Sequence, residues 1–187
     1  MVHAQLSQNP DVSKFLYHHQ YGFRRGHSTV QAVAQLNNWT LQYMDQGKVA
    51  GFLFLDISKA FDSLNHKILL GKLDSLGVSN QSLYWFKSYL SERKQSFVIN
   101  GSVSDPCPIQ LGVPQGSILG PLLFNIYINS LPNAISNAKM ILYANDAVLI
   151  CAASNATELK ESLGLGFTQI CNWYHNNKLT LNVKKTN

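Results

Sequence analysis

One stretch of the sequence limits the possible folds more than any other. Residues 95–138 carry a single charged side chain, Asp105, although the stretch is 44 residues long. Such a segment must be buried, or it must line a cleft that another molecule covers. Over all 187 residues, charged side chains make up only 13% and hydrophobic ones 45%. This composition excludes a disordered tail and provides enough apolar surface for a sizeable core.

The composition also argues against several other classes of protein. The most apolar runs, 118–128 and 147–153, stop well short of the roughly 20 residues that span a membrane, so we expect no membrane partner. The sequence does not begin with a basic segment followed by an apolar one, so we expect no secretory signal. The cysteines have neither disulfide parity nor metal-ligand spacing, so we expect reduced thiols at Cys107, Cys151 and Cys171. The net charge of +5 is compatible with a polyanionic partner, but the basic residues form no cluster.

Apolar periodicity predicts helices interleaved with short strands. Helical spacing predicts one helix between the capping Ser28 and Gly47, and others at 65–76, 81–91, 116–131 and 157–176. Short apolar runs predict strands at 52–55, 140–143, 147–150 and 179–183, the first of them covered on both faces. The pair Asn100-Gly101 between two short runs predicts a hairpin. Together these elements indicate an α+β fold with a mainly antiparallel sheet packed on helices.

Three polar features interrupt the apolar segments, and each has a structural alternative. Asp56 ends the predicted strand at 52–55, where a rigidly held carboxylate could bind a metal, although such an aspartate more often caps a helix or forms a turn. Asn145 and Asp146 lie between two apolar runs, where tight hairpin turns favour the same residue types. The glycine-bounded segment 112–117 could let the backbone approach a flat ligand, or it could be an ordinary loop. Their order along the chain, each flanked by core residues, favours a common site.

Five ordered motifs span nearly the whole chain. They are Gln-Tyr-Gly-Phe-Arg-Arg-Gly-His-Ser-Thr at 20–29, Phe-Leu-Asp-Ile-Ser-Lys-Ala-Phe-Asp at 54–62, Gly-Val-Pro-Gln-Gly-Ser-Ile-Leu-Gly-Pro at 112–121, Tyr-Ala-Asn-Asp at 143–146, and Leu-Asn-Val-Lys-Lys-Thr at 181–186. In order and spacing they resemble the reverse transcriptases of non-LTR, LINE-like retrotransposons. The resemblance implies a polymerase palm at 50–187, preceded by part of the fingers at 1–49, with the thumb absent.

The resemblance also implies an RNA-directed DNA polymerase, a nucleotidyltransferase that uses two Mg²⁺ ions. In that family the ions activate the primer 3′-hydroxyl and stabilise the leaving pyrophosphate, so the implied partners are an RNA template, a DNA primer and a deoxynucleoside triphosphate. Carried over by position, the metal ligands are Asp56, the backbone carbonyl of Ile57, and Asp146. Lys185 corresponds to a proton donor to pyrophosphate, with an ordinary solvated lysine as the alternative.

Four further residues are implied to bind the nucleotide. Phe61 corresponds to the bulky residue that excludes a ribose 2′-hydroxyl and so selects deoxynucleotides, with core packing as the alternative. Gln115 and Gly116 correspond to the turn that packs against the incoming nucleotide and template. Arg24 would lie in the fingers and face phosphate, and a generic surface role is an equally good alternative.

One motif departs from the family pattern at a catalytic position. Where the family hairpin has two consecutive aspartates, this chain has Asn145 followed by Asp146. An asparagine still offers a carbonyl oxygen, but it removes a full charge from a site that depends on carboxylates to hold a hard cation. We therefore expect polymerisation to be impaired in this copy by Asn145. The alternatives are a non-catalytic palm remnant that binds nucleic acid or protein, and a relic without function; no oligomeric state is predicted.

Overall fold

Helices and short strands alternate along residues 2–8 and 10–186, the part of the chain that this computed structural model describes. The α-helices in that part are α1 (Val2–Gln8), α2 (Pro10–Phe15), α3 (Thr29–Asp45), α4 (His66–Ser75), α5 (Asn80–Leu90), α6 (Leu119–Ile128) and α7 (Ala156–Asn176), and a short 3-10 helix spans Pro132–Ala134. The strands are β1 (Val49–Asp56), β2 (Lys94–Gln95), β3 (Val98–Ile99), β4 (Ser102–Val103), β5 (Cys107–Pro108), β6 (Lys139–Tyr143) and β7 (Asp146–Ala153). None of these helices is long and apolar enough to cross a membrane. The mixture confirms the predicted α+β class.

The central sheet has three antiparallel strands in the order β1-β7-β6. β7 lies in the middle, and β1 pairs with it as far as Asp56, which stands opposite Asp146. The prediction that the strand at 52–55 is covered on both faces is wrong, because Phe54 is 48% exposed. β1 is an edge strand, and the apolar cluster on the α3 side includes Phe52 but not Phe54.

Helices cover the two faces of this sheet and divide the core into two clusters. Successive residues of β7 point to opposite faces, so that Leu149 belongs to one cluster and Ile150 to the other. α7 packs on β1 and β7 and contributes Ile170 to the larger cluster, to which α4, α5 and α6 also contribute. On the other face α3 places Trp39 against Ile150. The sheet is thus held rigidly from both sides.

The stretch 95–138, which has little charge, divides into an exposed part and a buried part. The strands β2 to β5 are exposed throughout. Every residue of α6 except Pro121 is buried, so this helix forms the centre of the larger cluster. α6 begins at Leu119 rather than at the predicted 116, because Gly116 has a φ of +77°, outside the helical region.

Local signals at helix ends and at the Asn-Gly turn are confirmed. The Ser28 hydroxyl accepts the N–H of Gln31, and the Gln31 side chain accepts the N–H of Ser28, which forms a capping box at the start of α3. Gly47, just beyond the end of α3, has a φ of +69°. Asn100 and Gly101 join β3 to β4 with φ values of +50° and +81°.

The predicted strand at 179–183 does not form. In the described structure this segment makes an isolated bridge, with Leu181 opposite Ile57, and no ladder. The backbone then turns, because the N–H groups of Lys185 and Thr186 both donate to the carbonyl of Asn182. This turn returns the end of the chain toward the end of β1.

Candidate active site

The ends of two strands bring a pair of carboxylates together. Asp56 is the last residue of β1 and Asp146 is the first of β7, and the antiparallel register sets them opposite each other. Residues opposite each other in such a pair have Cα atoms about 4.5–5.5 Å apart. The neighbouring Leu55 and Ala147 are buried, at 2% and 1% exposed, so both strand ends are anchored in the core.

Within residues 2–8 and 10–186, three side chains contact the Asp56 carboxylate. Asn145 Nδ2 donates to Asp56 Oδ1 at 3.1 Å, and Asn182 Nδ2 donates to Asp56 Oδ2 at 2.6 Å. Lys185 Nζ lies 4.0 Å from the same Oδ2; its side chain is 71% exposed, whereas that of Asp56 is 14% exposed. The ammonium group therefore approaches the carboxylate from solvent. The sequence predicts no role for Asn182, whose only signal is its place in the motif at 181–186.

Charge repulsion is built into the carboxylate pair. Burial raises the pKa of Asp146 above its ordinary value of 3.8, and the neighbouring charge of Asp56 raises it further, while Lys185 acts in the opposite direction. The nearby charge of Asp56 disfavours ionisation of Asp146 because like charges repel. A cation bound between them would offset that repulsion.

The oxygen atoms at this end of the sheet fit a hard divalent cation. Asp56 and Asp146 supply carboxylates, which suit ions like Mg²⁺, whereas Asn145 presents its amide nitrogen to Asp56. The bridge to Leu181 uses the backbone carbonyl of Asp56 and leaves that of Ile57 unused. Within residues 2–8 and 10–186, no three His, Cys, Asp or Glu side chains come together as a metal-binding group. An aspartate in place of Asn145 would give a third carboxylate beside Asp56 and Asp146.

Phe61 lies half-buried between two other aromatic rings. Its ring centroid is 6.0 Å from that of Phe23 and 5.2 Å from that of Phe124. Phe124 is fully buried and Phe23 is 57% exposed, so Phe61 stands between the core and the surface. This position is compatible with the predicted selection of the sugar and with the packing alternative.

Gln115 and Gly116 lie on an exposed turn before α6. Gln115 Nε2 donates to both carboxylate oxygens of Asp62, at 2.8 and 2.9 Å. Gly112, earlier in the loop, has a φ of +78°, and a Cβ there would lie 2.6 Å from the Asp62 Cα. The loop therefore rests on the segment that follows β1. A groove of about 600 Å³ borders both Gln115 and Asp62.

Arg24 binds the backbone of its own loop. Its Nη1 donates to the carbonyls of Tyr17 and Gln20, at 2.9 and 3.3 Å. Burial lowers the pKa of the guanidinium below its ordinary value. This side chain therefore helps to hold the loop that joins α2 to α3.

The predicted site residues thus fall into two groups. Asp56 gathers Asp146, Asn145 and Lys185 around it through strand pairing, a hydrogen bond and an ion pair. The residues predicted to bind the nucleotide lie outside this group: in the described part of the chain no hydrogen bond or ion pair joins them to Asp56. They are Arg24, Phe61, Gln115 and Gly116.

Similarity to known proteins extends along the whole chain. The family described as reverse transcriptase (RNA-dependent DNA polymerase) matches residues 1–187. A probable RNA-directed DNA polymerase from transposon BS of Drosophila melanogaster is 34% identical, covering 100% of this chain and 21% of the relative. The RNA-directed DNA polymerase from mobile element jockey of Drosophila funebris is 31% identical, covering 87% of this chain and 18% of the relative. The chain spans about a fifth of the length of these relatives.

Solved structures share the fold at low identity. Telomerase from Candida tropicalis in complex with the TWJ fragment of telomeric RNA aligns with a TM-score of 0.73 over 99% of this chain and 32% of that chain. Apo telomerase from the same organism, truncated from the C-terminal domain, aligns with a TM-score of 0.71 over 100% of this chain and 39% of that chain. Both are 13% identical to this chain, so the likeness shows the fold alone.

Proposed function

Since the chain belongs to the reverse transcriptase family, we propose that it forms the palm, at 50–187, and part of the fingers, at 1–49, of an RNA-directed DNA polymerase. The observation that carries the proposal is the pairing of Asp56 and Asp146 at the end of the sheet, with Lys185 beside them. Enzymes of this family generally use divalent metal ions. We assign Mg²⁺ to this site, with an RNA template, a DNA primer and deoxynucleoside triphosphates as partners.

Asp56 and Asp146 hold the cations in this proposal, and the backbone carbonyl of Ile57 supplies a further oxygen ligand. When bound, two Mg²⁺ ions would make the primer 3′-hydroxyl a better nucleophile and stabilise the charge on the leaving pyrophosphate. Lys185 keeps an ammonium group 4.0 Å from Asp56 while remaining 71% exposed. From there it can donate a proton to the departing pyrophosphate.

The ring of Phe61 is the proposed gate against ribonucleotides. Its contacts with Phe23 and Phe124 limit its freedom to move aside. A ring that cannot move would leave no room for a 2′-hydroxyl on the incoming sugar. Deoxynucleotides are therefore the proposed substrates.

The proposed contacts to nucleotide and template come from two loops. Gly116 has no atom within 4 Å of the place where a Cβ would stand, so the turn it shares with Gln115 is open to a ligand. Arg24 uses one guanidinium nitrogen for the backbone, and its other nitrogens make no hydrogen bond within the described residues, so they can donate to phosphate.

Asn145 is the proposed cause of reduced activity. Its amide donates to Asp56 Oδ1 and brings no charge to the cation site. An aspartate there would add a carboxylate ligand beside Asp56 and Asp146. Removing one such ligand from the transition state costs about 2.7 kcal/mol if the loss in rate is about 100-fold.

Primer extension on an RNA template with Mg²⁺ tests this proposal, with the chain compared with its Asn145→Asp variant. We expect the variant to extend about 100-fold faster because it restores the missing charge. Asn182→Asp is the matched control, because it makes the same amide-to-acid change beside the other oxygen of Asp56 but outside the hairpin. Equal gains in both variants, or rapid extension by the unmodified chain, would contradict the role assigned to Asn145.

A non-catalytic palm that binds nucleic acid is the second candidate, and Asn145 is the observation that favours it. This candidate predicts that the unmodified chain extends no primer, although it binds an RNA–DNA duplex. Binding should weaken steeply between about 50 and 200 mM salt, because contacts to phosphate release counterions. Fluorescence anisotropy measures this dependence, and the absence of binding at low salt would exclude both candidates.

A further inference from the structure

A short segment of chain passes directly beneath the turn between β6 and β7. Leu142 in β6 donates its N–H to the carbonyl of His19 at 2.9 Å and accepts the N–H of Tyr21 at 2.8 Å. Gln20, between these two residues, forms an isolated parallel bridge with Leu142. The segment therefore lies along β6 as a short additional strand would.

Gly22 brings this segment into backbone contact with the turn. A Cβ at Gly22 would lie 2.0 Å from the nitrogen of Ala144 and 2.8 Å from its Cα, closer than real Cβ atoms approach other atoms. Ala144 itself has a φ of +55°, in the left-handed region that alanine rarely adopts. The turn that carries Asn145 and Asp146 thus includes a strained residue, which persists only with support from its surroundings.

Gln20 supplies that support with its side-chain oxygen. The residue is 1% exposed, and its Oε1 accepts the N–H of Gly22 at 2.9 Å and the N–H of Ala144 at 3.3 Å. Its Nε2 has no hydrogen-bond partner in the described part of the chain. The acceptor oxygen of Gln20 therefore makes the contacts, and one of them holds the strained residue.

Asn125 connects this contact to the core. It lies in α6, is 1% exposed, and donates from Nδ2 to the carbonyl of Gly22 at 2.9 Å. The buried polar side chains of the described core are Gln20, Asn125 and Asn129, and the first two of them meet at Gly22. Burying a polar side chain costs stability unless it is hydrogen-bonded. Because Gln20 and Asn125 both contact Gly22, next to the turn between β6 and β7, we infer that they support this turn in addition to packing in the core.

We propose that Gln20 is a positioning residue for the metal-binding hairpin. Its oxygen holds Ala144 in the left-handed conformation, and this keeps Asn145 and Asp146 directed at Asp56. Gln20 is not one of the proposed metal or nucleotide ligands, and it acts through the turn. The inference rests on the proposed function, because that proposal makes the hairpin a metal ligand. The hydrogen bonds that Gln20 Oε1 accepts are part of the fold and do not depend on it.

Mn²⁺ binding, followed by electron paramagnetic resonance, tests the proposal without relying on activity. Gln20→Met removes the acceptor but keeps a side chain of similar size. We expect the Mn²⁺ dissociation constant to rise roughly 10- to 100-fold, the loss expected when a group that orients a metal ligand is removed. Gln20→Glu keeps an oxygen acceptor and should retain most of the affinity.

Asn129→Leu is the matched control for a general loss of stability. Asn129 is also buried, at 6% exposed, but it binds the backbone of Phe15 and Tyr17 instead of the hairpin. This variant should unfold at a lower temperature and bind Mn²⁺ as well as the unmodified chain does. Equal losses of affinity in Gln20→Met and Asn129→Leu would overturn the proposal, because affinity would then follow stability alone.

Hydrogen exchange of the Ala144 amide, measured by NMR, tests the contact with Gln20 separately from metal binding. In the unmodified chain and in Gln20→Glu, this amide should exchange at least about 10-fold more slowly than the amide of the exposed Asn100. If Ala144 exchanges as fast as Asn100, the proposal is wrong even where Gln20→Met fails to fold. A chain that protects Ala144 but binds no Mn²⁺ contradicts the proposed function, while the protection itself supports the contact.

Discussion

Two hairpin turns in this protein have a positive φ at their first residue, and they reach it by different means. In the turn between β3 and β4, Asn100 and Gly101 have φ values of +50° and +81°, and both are exposed. The pair Asn-Gly favours such a turn without help from the rest of the protein. In the turn between β6 and β7, Ala144 has a φ of +55° and is 8% exposed, and Asn145 follows it. Alanine has no local preference for this conformation, so the second turn depends on other segments.

This comparison indicates that the conformation of the turn between β6 and β7 depends on residues outside the turn. Gln20, which accepts the N–H of Ala144, lies 124 positions earlier in the chain. Gly22 permits the close approach of the two backbones. A strained residue held by distant groups is typical of functional sites, whereas the exposed turn has no such residue.

Gly22→Ala should give the largest difference between the two turns. The new methyl group would overlap the backbone of Ala144, so one of the two segments must move, and we expect a loss of about 4 kcal/mol in the free energy of unfolding. Gly101→Ala is the matched control, because its Cβ would meet no atom within 4 Å and only the positive φ would cost about 1–2 kcal/mol. Urea unfolding measures both values. Equal losses would show that the two turns are supported alike.

Leu142→Ala should have the next largest effect, because it weakens the strand that leads into the buried turn. Leu142 is 0% exposed, and truncating a buried leucine costs about 2–5 kcal/mol. Ile99 leads into the exposed turn and is 69% exposed, so Ile99→Ala should change the free energy of unfolding by less than about 0.5 kcal/mol. Thermal unfolding of the two variants provides the comparison. A loss for Ile99→Ala that matches the loss for Leu142→Ala would mean that the exposed hairpin is covered in solution.

Asp146→Asn tests whether the two turns differ in electrostatics. We expect it to have the smallest effect of these changes on the free energy of unfolding. The pKa of Asp146 is raised in the folded protein above its ordinary value of 3.8, so in the window just above pH 3.8 the folded state binds more protons than the unfolded state. The stability this group contributes is complete below pH 3.8 and is lost as the pH rises through the folded pKa.

Urea unfolding across this pH window checks the expectation. The fall in stability with rising pH should be smaller in Asp146→Asn than in the unmodified chain. Asn100→Asp adds an acid to the exposed turn and should leave the fall unchanged. If the free energy of unfolding falls equally with rising pH in Asp146→Asn and in the unmodified chain, the two turns do not differ in electrostatics.

The parts of the fold that the sequence predicts well are those decided by neighbouring residues. Ser28 and Gly47 mark the ends of α3, since capping depends on a few adjacent dihedral angles and one side chain. The strand predicted at 179–183 is wrong although its composition suits a strand. There the backbone turns on the carbonyl of Asn182, which no apolar pattern indicates.

The candidate site is predictable where it lies in the ordered motifs. Asp56, Asn145, Asp146 and Lys185 can all be named from the order of the motifs, and they come together at the end of the sheet. Asn182 lies in a motif, but its contact with Asp56 spans 126 positions and leaves no local signal. Four other residues have no hydrogen bond or ion pair to Asp56 in the described structure, so their roles stay predictions: Arg24, Phe61, Gln115 and Gly116.

The sequence by itself determined the α+β class, the ends of α3, the exposed Asn-Gly turn and the order of the acidic motifs. Only the tertiary structure decided that Asn182 contacts Asp56 and that Gln20 supports Ala144. The physical reason is the range of the interactions. Capping and turn preferences act over a few residues, whereas the partner of a buried amide depends on which distant strands and helices pack together.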